Sequence, residues 1–268
     1  MTVARTTGPV LWEVDARGVA RVAFNRPEVN NAYDGDLIDG VLEALEVLSE
    51  VEGLRAVVLT GRGRHFQAGA DLTWINEVRL RGDEENERVS RATAEAVRVL
   101  NMAPVPVVAL VQGGCFGGGT GIVAACDVVI AAENAIFSIA EVRWGLHASI
   151  IIPELNDAIG VRQVRRYALT GERFDAHEAR RIGLVHEVVP LDQLAAAGER
   201  VVGHILENAP EAIAETKEIT LAGSFGDLPD GAFDALIDSH AAKRQSKEAE
   251  EGLASFAEKR SASWKPVG

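Results

Sequence analysis

The segment from Val99 to Cys126 contains no charged residue, and this constrains the fold of the 268-residue chain more than any other feature. The segment is long enough to cross a bilayer. It also contains Pro104, Pro106 and a cluster of glycines between positions 113 and 121. A lipid-exposed helix with so many breaks would leave backbone polar groups unpaired. The segment therefore predicts a buried strand, a glycine-rich loop and a buried helix, and we expect no membrane association.

The composition narrows the class of protein further. Hydrophobic residues make up 47% of the chain, enough for a sizeable core. The formal net charge of -13 argues against a nucleic-acid or anionic-membrane binder, because such proteins need an excess of Lys and Arg. Cys115 and Cys126 cannot form a disulfide framework or a Cys-based zinc site, and the dispersed histidines predict no metal. Residues 1–9 lack the apolar segment of a signal peptide, so we expect a cytoplasmic protein.

Hydrophobic patterning predicts strands and helices that alternate along the chain. Strands are predicted at 10–15, 19–24, 56–60, 105–111, 127–132 and 184–189, and helices at 35–51 and 84–101. This alternation indicates an α/β fold with crossover connections. Asp175 and Glu178 have the spacing of a capping box for a helix that ends at Gly183. After about residue 191 the pattern is wholly helical.

A glycine-spaced loop follows the predicted strand at 56–60. Small residues at positions 68–70 would let a ligand approach the backbone closely. Asp71 then precedes an apolar segment. On its own this pattern favours an ordinary strand–turn–helix connection in which Asp71 caps the helix.

A second glycine-rich loop spans residues 112–121, between a predicted strand and an apolar helix. Free amides at such a helix start can bind an anion. A P-loop is excluded, because no Lys occurs before Lys217. A dinucleotide fingerprint fits loosely, with Gly119, Gly121 and Ala124 followed by Glu141. The other interpretation is a loop whose amides stabilise a developing oxyanion.

Glu141 is a carboxylate in a mostly apolar segment, 135–147. An apolar environment disfavours the charged form and adjusts a carboxyl for acid–base chemistry. The alternative is a surface ion pair between Glu141 and Arg143.

Taken together, these segments resemble the crotonase superfamily, that is, the enoyl-CoA hydratase/isomerase family. The resemblance covers about residues 10–265 and lies in motifs that agree in order and spacing: Phe24–Ala32, Ala68–Asp71, Gly117–Gly119 with Cys126–Asp127, Phe137 with Glu141, and Thr170–Val185. It implies a β-β-α spiral core over 1–190, followed by a C-terminal helical trimerisation region over 191–268. Homotrimers or homohexamers are therefore expected.

The resemblance also implies particular site residues. The backbone amides of Ala70 and Gly118 would hold the carbonyl oxygen of an acyl-CoA thioester, and Glu141 would act as the catalytic acid or base. Further substrate-binding positions implied by the family are Ala68, Asp71, Leu72, Gly117, Gly121, His147, Phe256 and Lys259. Lys259 would reach the CoA of a neighbouring subunit, or simply end an exposed helix. Coenzyme A would enter as part of the substrate, and no retained cofactor is expected.

One departure from the family pattern bears on the reaction. Hydratases of this family commonly use two glutamates, and the first falls here on Gly121. Either Glu141 works alone or another group assists it. His147 is the nearest titratable candidate in sequence, although a structural histidine is the simpler interpretation. Glycine at this position resembles the methylglutaconyl- and isohexenylglutaconyl-CoA hydratase branch.

The sequence is compatible with three functions. The first is an enoyl-CoA hydratase. The second is another crotonase reaction: isomerisation, decarboxylation or thioester hydrolysis. The third is an acyl-CoA-binding subunit without turnover. The fold cannot separate them, because all use the same pair of amides.

Overall fold

A seven-stranded sheet forms the centre of the molecule in a computed structural model that describes residues 3–265. Its strands, in spatial order, are β1 (Ala4–Arg5), β2 (Val10–Val14), β3 (Val19–Phe24), β4 (Ala56–Gly61), β5 (Val107–Val111), β7 (Val128–Ala132) and β10 (Glu187–Val189). The first three strands pair antiparallel, and β3 through β10 pair parallel. The parallel strands β4 and β5 are apolar because both faces of the sheet are covered.

A smaller sheet stands beside the first and carries the connections that lead to the site. It contains β6 (Gly114–Phe116), β8 (Ile136–Ser138) and β9 (Phe174–Asp175), with β6 parallel and β9 antiparallel to β8. Single bridges, Tyr33 with Ala70 and Gln67 with Cys115, join the loops between the two sheets.

Both faces of the large sheet are covered by helices, and residues 3–265 form ten α-helices in all. They are α1 (Gly35–Ser49), α2 (Leu72–Arg79), α3 (Asp83–Asn101), α4 (Gly118–Ala124), α5 (Ile152–Thr170), α6 (Ala176–Ile182), α7 (Leu194–Leu206), α8 (Pro210–Leu221), α9 (Asp230–Arg244) and α10 (Lys247–Ala257). Helices α1 and α3 belong to the larger apolar core, and α7 packs on the opposite face against β5 and β7. Short 3₁₀ helices lie at Glu141–Trp144 and Ser149–Ile151.

The α/β architecture predicted from sequence is confirmed, and so is the helical C-terminal part as far as residue 265. The boundary at 190/191 stays a prediction, and helix α7 beyond it packs directly on the central sheet. None of the helices within residues 3–265 is long and apolar enough to span a membrane.

Two local expectations need correction. The strand predicted at 184–189 is limited to β10, because the amides of Leu184 and Val185 are used to close the end of helix α6. The capping box is only half formed: Asp175 accepts a hydrogen bond from the Glu178 amide at 2.8 Å. The Glu178 carboxylate instead binds Tyr167 and Arg181, since a charged and a phenolic donor lie within reach.

Candidate functional site

A cavity of about 540 Å³ lies between the large sheet, helices α1 and α3, and the C-terminal helices. Most of its lining is apolar. The predicted site residues that line it are Ala68, Ala70, Asp71, Leu72, Gly117, Gly118, Glu141 and Phe256. Gly121, His147 and Lys259 are not part of this lining. Eight of the predicted positions, distant in sequence, therefore meet at one cavity.

The two glycine-spaced loops are hydrogen-bonded to each other. The backbone amide of buried Gln67 donates to the Gly114 carbonyl at 3.1 Å, and the backbone carbonyl of Gln67 accepts from the Phe116 amide at 2.9 Å. The Gln67 side chain also accepts from the Gly69 amide at 2.8 Å. Gly69 has φ +88°, and a side chain there would press on the Phe116 carbonyl at 3.2 Å. These contacts hold the segments that carry Ala70 and Gly118 side by side.

The amides of Ala70 and Gly118 are both available to a ligand. Within residues 3–265, neither amide donates to a protein acceptor. Gly118 is the first residue of helix α4, where amides have no partner within the helix. Two such donors in one cavity can stabilise an oxygen that gains negative charge. The dinucleotide interpretation is wrong, because strand β6 of the small sheet intervenes between β5 and helix α4.

Glu141 lies directly beside Gly117, the residue that precedes Gly118. A Cβ atom added to Gly117, which has φ +52°, would be 2.9 Å from Glu141 Oε1. Glu141 Oε2 is buried and has no hydrogen-bond partner among the described residues. Burial raises the pKa of the Glu141 carboxyl to about 7. The expected alternative, a surface pair with Arg143, is wrong, because Arg143 instead donates to the Gly171 carbonyl at 2.9 Å.

Asp71 combines a structural contact with a place at the cavity. Its Oδ1 accepts from the amide of Thr73 at 3.0 Å and caps helix α2. The capping interpretation is therefore confirmed, and Asp71 fixes the chain immediately after Ala70.

Gly121, where the family's first glutamate falls, is tightly packed. An added Cβ atom would be 2.2 Å from Ile151 Cγ2, so the position cannot accept any side chain without a shift of Ile151. The local structure therefore contains neither a second carboxyl at this point nor space for one.

The remaining predicted positions lie at the periphery. His147 pairs its Nε2 with Ser239 Oγ at 3.2 Å, and its ring centre is 6.3 Å from that of His240. Phe256 packs edge-on against Trp144 at 5.3 Å and is 47% exposed. Lys259 is exposed just beyond helix α10. The roles of His147 and Lys259 stay predictions.

Tyr33 and Arg244 also line the cavity, and the sequence analysis did not identify either of them. Arg244 is only 2% exposed, and among residues 3–265 it forms no ion pair with a carboxylate. Both look like ordinary helix or loop residues in sequence. Tyr33 directly follows the Phe24–Ala32 stretch that carried the resemblance, and this was the one available signal.

Comparison with known proteins shows which family the chain is similar to. Residues 15–266 match the model of the enoyl-CoA hydratase/isomerase family. A mevalonyl-coenzyme A hydratase of Aspergillus fumigatus is 34% identical, with 91% of this chain and 90% of the relative covered. A hydroxycinnamoyl-CoA hydratase-lyase of Pseudomonas fluorescens is 34% identical over 75% of this chain and 74% of its own length.

A solved structure agrees with the fold. An enoyl-CoA hydratase from Mycobacterium avium subsp. paratuberculosis superposes with a TM-score of 0.84 at 29% identity, covering 97% of this chain and 100% of that one. The family match spans both cavity loops and Glu141. The chain therefore belongs to the enoyl-CoA hydratase/isomerase family.

Proposed function

We propose that this protein is a hydratase that adds water to the double bond of a 2-enoyl-CoA thioester, with coenzyme A bound only as part of the substrate. The observation that carries the proposal is that Glu141 Oε2 and the amides of Ala70 and Gly118, all at one apolar cavity, have no hydrogen-bond partner within residues 3–265. Relatives named as hydratases support the same reaction class.

The two amides act on the thioester oxygen. As water adds at C3, electrons move towards the carbonyl and the oxygen gains charge. Fixed donors from Ala70 and Gly118 bind this enolate oxygen more strongly than the neutral carbonyl, which lowers the barrier. One such donor contributes roughly 10²–10³-fold in rate in other enzymes.

Glu141 moves the protons. In its protonated form it donates a proton to C2 through one carboxyl oxygen, while the other oxygen takes a proton from the attacking water. A C–O bond forms at C3, a C–H bond forms at C2, the double bond is consumed, and Glu141 ends in its starting state. A pKa of about 7 keeps a large protonated fraction at neutral pH.

A panel of acyl-CoA thioesters with product masses tests the reaction. The proposal predicts a gain of one water with 2-enoyl substrates. An unchanged mass with a moved double bond would indicate an isomerase, loss of CO₂ a decarboxylase, and free CoA a hydrolase. Tight binding without any product would indicate a non-catalytic subunit.

Arg244 supports a finer proposal, that the acyl group ends in a carboxylate, as in glutaconyl-type thioesters. Within residues 3–265, its guanidinium donates only to neutral acceptors: the backbone carbonyl and Oδ1 of Asn86, Ser90 Oγ and His240 Nδ1, at 3.0–3.3 Å. Burial lowers the pKa of Arg244 to about 10, so it still carries its charge at neutral pH. A buried charge in a ligand cavity favours a ligand of the opposite sign.

Matched substrates test the carboxylate proposal. A series of ω-carboxyl 2-enoyl-CoA thioesters, beginning with glutaconyl-CoA, is compared with thioesters that carry an isopropyl group in place of the carboxylate. The wild type should prefer the carboxylates in kcat/KM, and Arg244→Met should lose about 30-fold or more of that preference. Because the preference is a ratio within one enzyme, partial unfolding does not alter it. A wild type that prefers the isopropyl series contradicts the proposal.

We also propose a homotrimer or homohexamer in which Lys259 contacts the CoA of a neighbouring subunit. The exposed position of Lys259 after helix α10 supports an intersubunit role. Light scattering gives the oligomeric state, and Lys259→Ala should raise KM for the CoA thioester while kcat is unchanged. A monomer with full activity contradicts this arrangement.

A further inference from the structure

Position 121 carries no side chain that could hold the attacking water. Gly121 offers no polar group, and Ile151 fills the space beside it. A water molecule held only by Glu141 would be free to rotate. A second polar group in the same cavity would fix its direction and lower the entropic part of the barrier.

Tyr33 places a phenol hydroxyl at the reacting end of the cavity. Its ring lies against Gly118: a Cβ atom added there would be 2.7 Å from Tyr33 Cε1 and 3.3 Å from Tyr33 Oη. Glu141 lies on the same cavity wall, beside Gly117, the residue that precedes Gly118. The hydroxyl and the carboxyl therefore flank two consecutive glycines, one of which supplies a candidate oxyanion amide.

The Tyr33 hydroxyl is free to bind a ligand. No group within residues 3–265 forms a hydrogen bond with it. Burial and the nearby Glu141 carboxylate raise the pKa of Tyr33 far above its usual value, so the phenol stays protonated at any working pH. A neutral phenol can accept one hydrogen bond from water without competing with Glu141 for the proton.

The backbone of Tyr33 is held as firmly as its ring. Its amide donates to the Gly69 carbonyl at 2.9 Å, and its carbonyl accepts from the Asp71 amide at 2.8 Å, on either side of Ala70. Trp74 packs edge-on against the ring, with centres 6.4 Å apart. Tyr33 is thus fixed to the loop that carries one amide and touches the residue that carries the other.

We propose that Tyr33 is a catalytic residue that holds the attacking water together with Glu141, in place of a carboxylate at position 121. This inference rests on the proposed hydration. Tyr33 Oη accepts the hydrogen that stays on the oxygen in the product, while the other hydrogen passes to Glu141. The water lone pair then points towards C3 of the acyl group.

The test is Tyr33→Phe, which removes the hydroxyl and keeps the ring, the backbone bonds and the Trp74 contact. Tyr167→Phe is the matched control, because Tyr167 bonds Glu178 outside the cavity. We expect Tyr33→Phe to lower kcat for hydration about 10²-fold with little change in KM. Tyr167→Phe should remain within about twofold of the wild type.

A second reaction separates water binding from proton transfer. The wild type should exchange the C2 protons of butyryl-CoA with D₂O, because this needs only the amides and Glu141 and no added water. Tyr33→Phe should keep that exchange within about threefold, whereas Glu141→Gln should lose both exchange and hydration.

The outcomes distinguish this inference from the proposed function. Hydration by Tyr33→Phe at the wild-type rate overturns the role of Tyr33 alone. A parallel loss of hydration and exchange also overturns it, since that pattern indicates a general distortion of the amides. A wild type that hydrates no thioester overturns both this inference and the proposed function.

Discussion

Glu141 and Glu154 are two buried carboxyls with raised pKa values in very different places. Burial raises the pKa of each to about 7, and each has an Oε2 atom with no hydrogen-bond partner in the part of the chain that the structure describes. Glu141 faces the cavity beside Gly117. Glu154 is 5% exposed, lies in the first turn of helix α5 and does not line the cavity.

A raised pKa alone does not identify a catalytic acid. Desolvation acts on both carboxyls, so titration behaviour cannot distinguish them. Of these two carboxyls, Glu141 is the one that lines the cavity, together with Ala70 and Gly118. We therefore expect substitutions at the two positions to affect different properties, activity at one and the pH dependence of stability at the other.

The largest expected effect is on turnover by Glu141→Gln. Removal of the proton donor should lower kcat for hydration by about 10²–10⁴-fold, the range typical of a lost general acid or base. Steady-state kinetics with crotonyl-CoA and a branched 2-enoyl-CoA measure this. Glu154→Gln is the matched control and should stay within about threefold of the wild type. Equal losses of kcat in the two variants would contradict the assignment of the catalytic role to Glu141 rather than Glu154.

The pH dependence of hydration should follow the Glu141 carboxyl. Since the protonated form donates to C2, kcat/KM should fall about tenfold per pH unit above about pH 7 and level off below it. The residual activity of Glu141→Gln should not show this step. A profile that rises through pH 7 would mean that the carboxylate, not the acid, is the active form.

The smallest expected effect concerns stability at Glu154. Burial raises the pKa of Glu154 to about 7 in the folded state, above the usual 4.5 of a glutamate, so the folded state holds the proton more tightly. Stability is therefore full below about pH 4.5 and is lost as pH rises through about 7. The Glu154→Gln variant should not lose stability in this way. Between pH 4.5 and pH 8, its free energy of unfolding should rise by about 3 kcal/mol relative to that of the wild type.

Urea unfolding of both proteins at the two pH values measures that difference. Titration of Glu141 changes the free energy of unfolding with pH by a similar amount in both proteins, so its contribution cancels in the comparison. A gain that is the same at pH 4.5 and pH 8 would show that Glu154 is not protonated by burial in the folded state.

Much of the fold was predictable because it depends on local patterns. Strand β4 reads as a buried apolar segment ended by Gly61, and helix α1 shows apolar residues at helical spacing. The glycine loops were recognisable for the same reason: close approach of backbones requires small residues at fixed positions. The loop patterns alone left their role open, and the resemblance to the crotonase superfamily implied that Ala70, Gly118 and Glu141 belong to one site.

The distal part of the cavity could not be predicted. Arg244 sits near the end of helix α9, and its partners Asn86 and Ser90 lie on α3, far away in sequence. In sequence Arg244 resembles any basic residue in the last turn of a helix. Only the packing of α9 on α3 buries it, and that packing depends on tertiary contacts that no local pattern contains. The unpartnered hydroxyl of Tyr33 is likewise a property of the assembled cavity.

The most direct test of the account is a crystal structure with a bound thioester that cannot react, such as a saturated acyl-CoA. The account predicts the carbonyl oxygen at hydrogen-bond distance, about 3 Å, from both the Ala70 and Gly118 amides, with C2 against the Glu141 carboxyl. A thioester oxygen bound to any other group, or with Glu141 on the far side of the acyl chain, would contradict it.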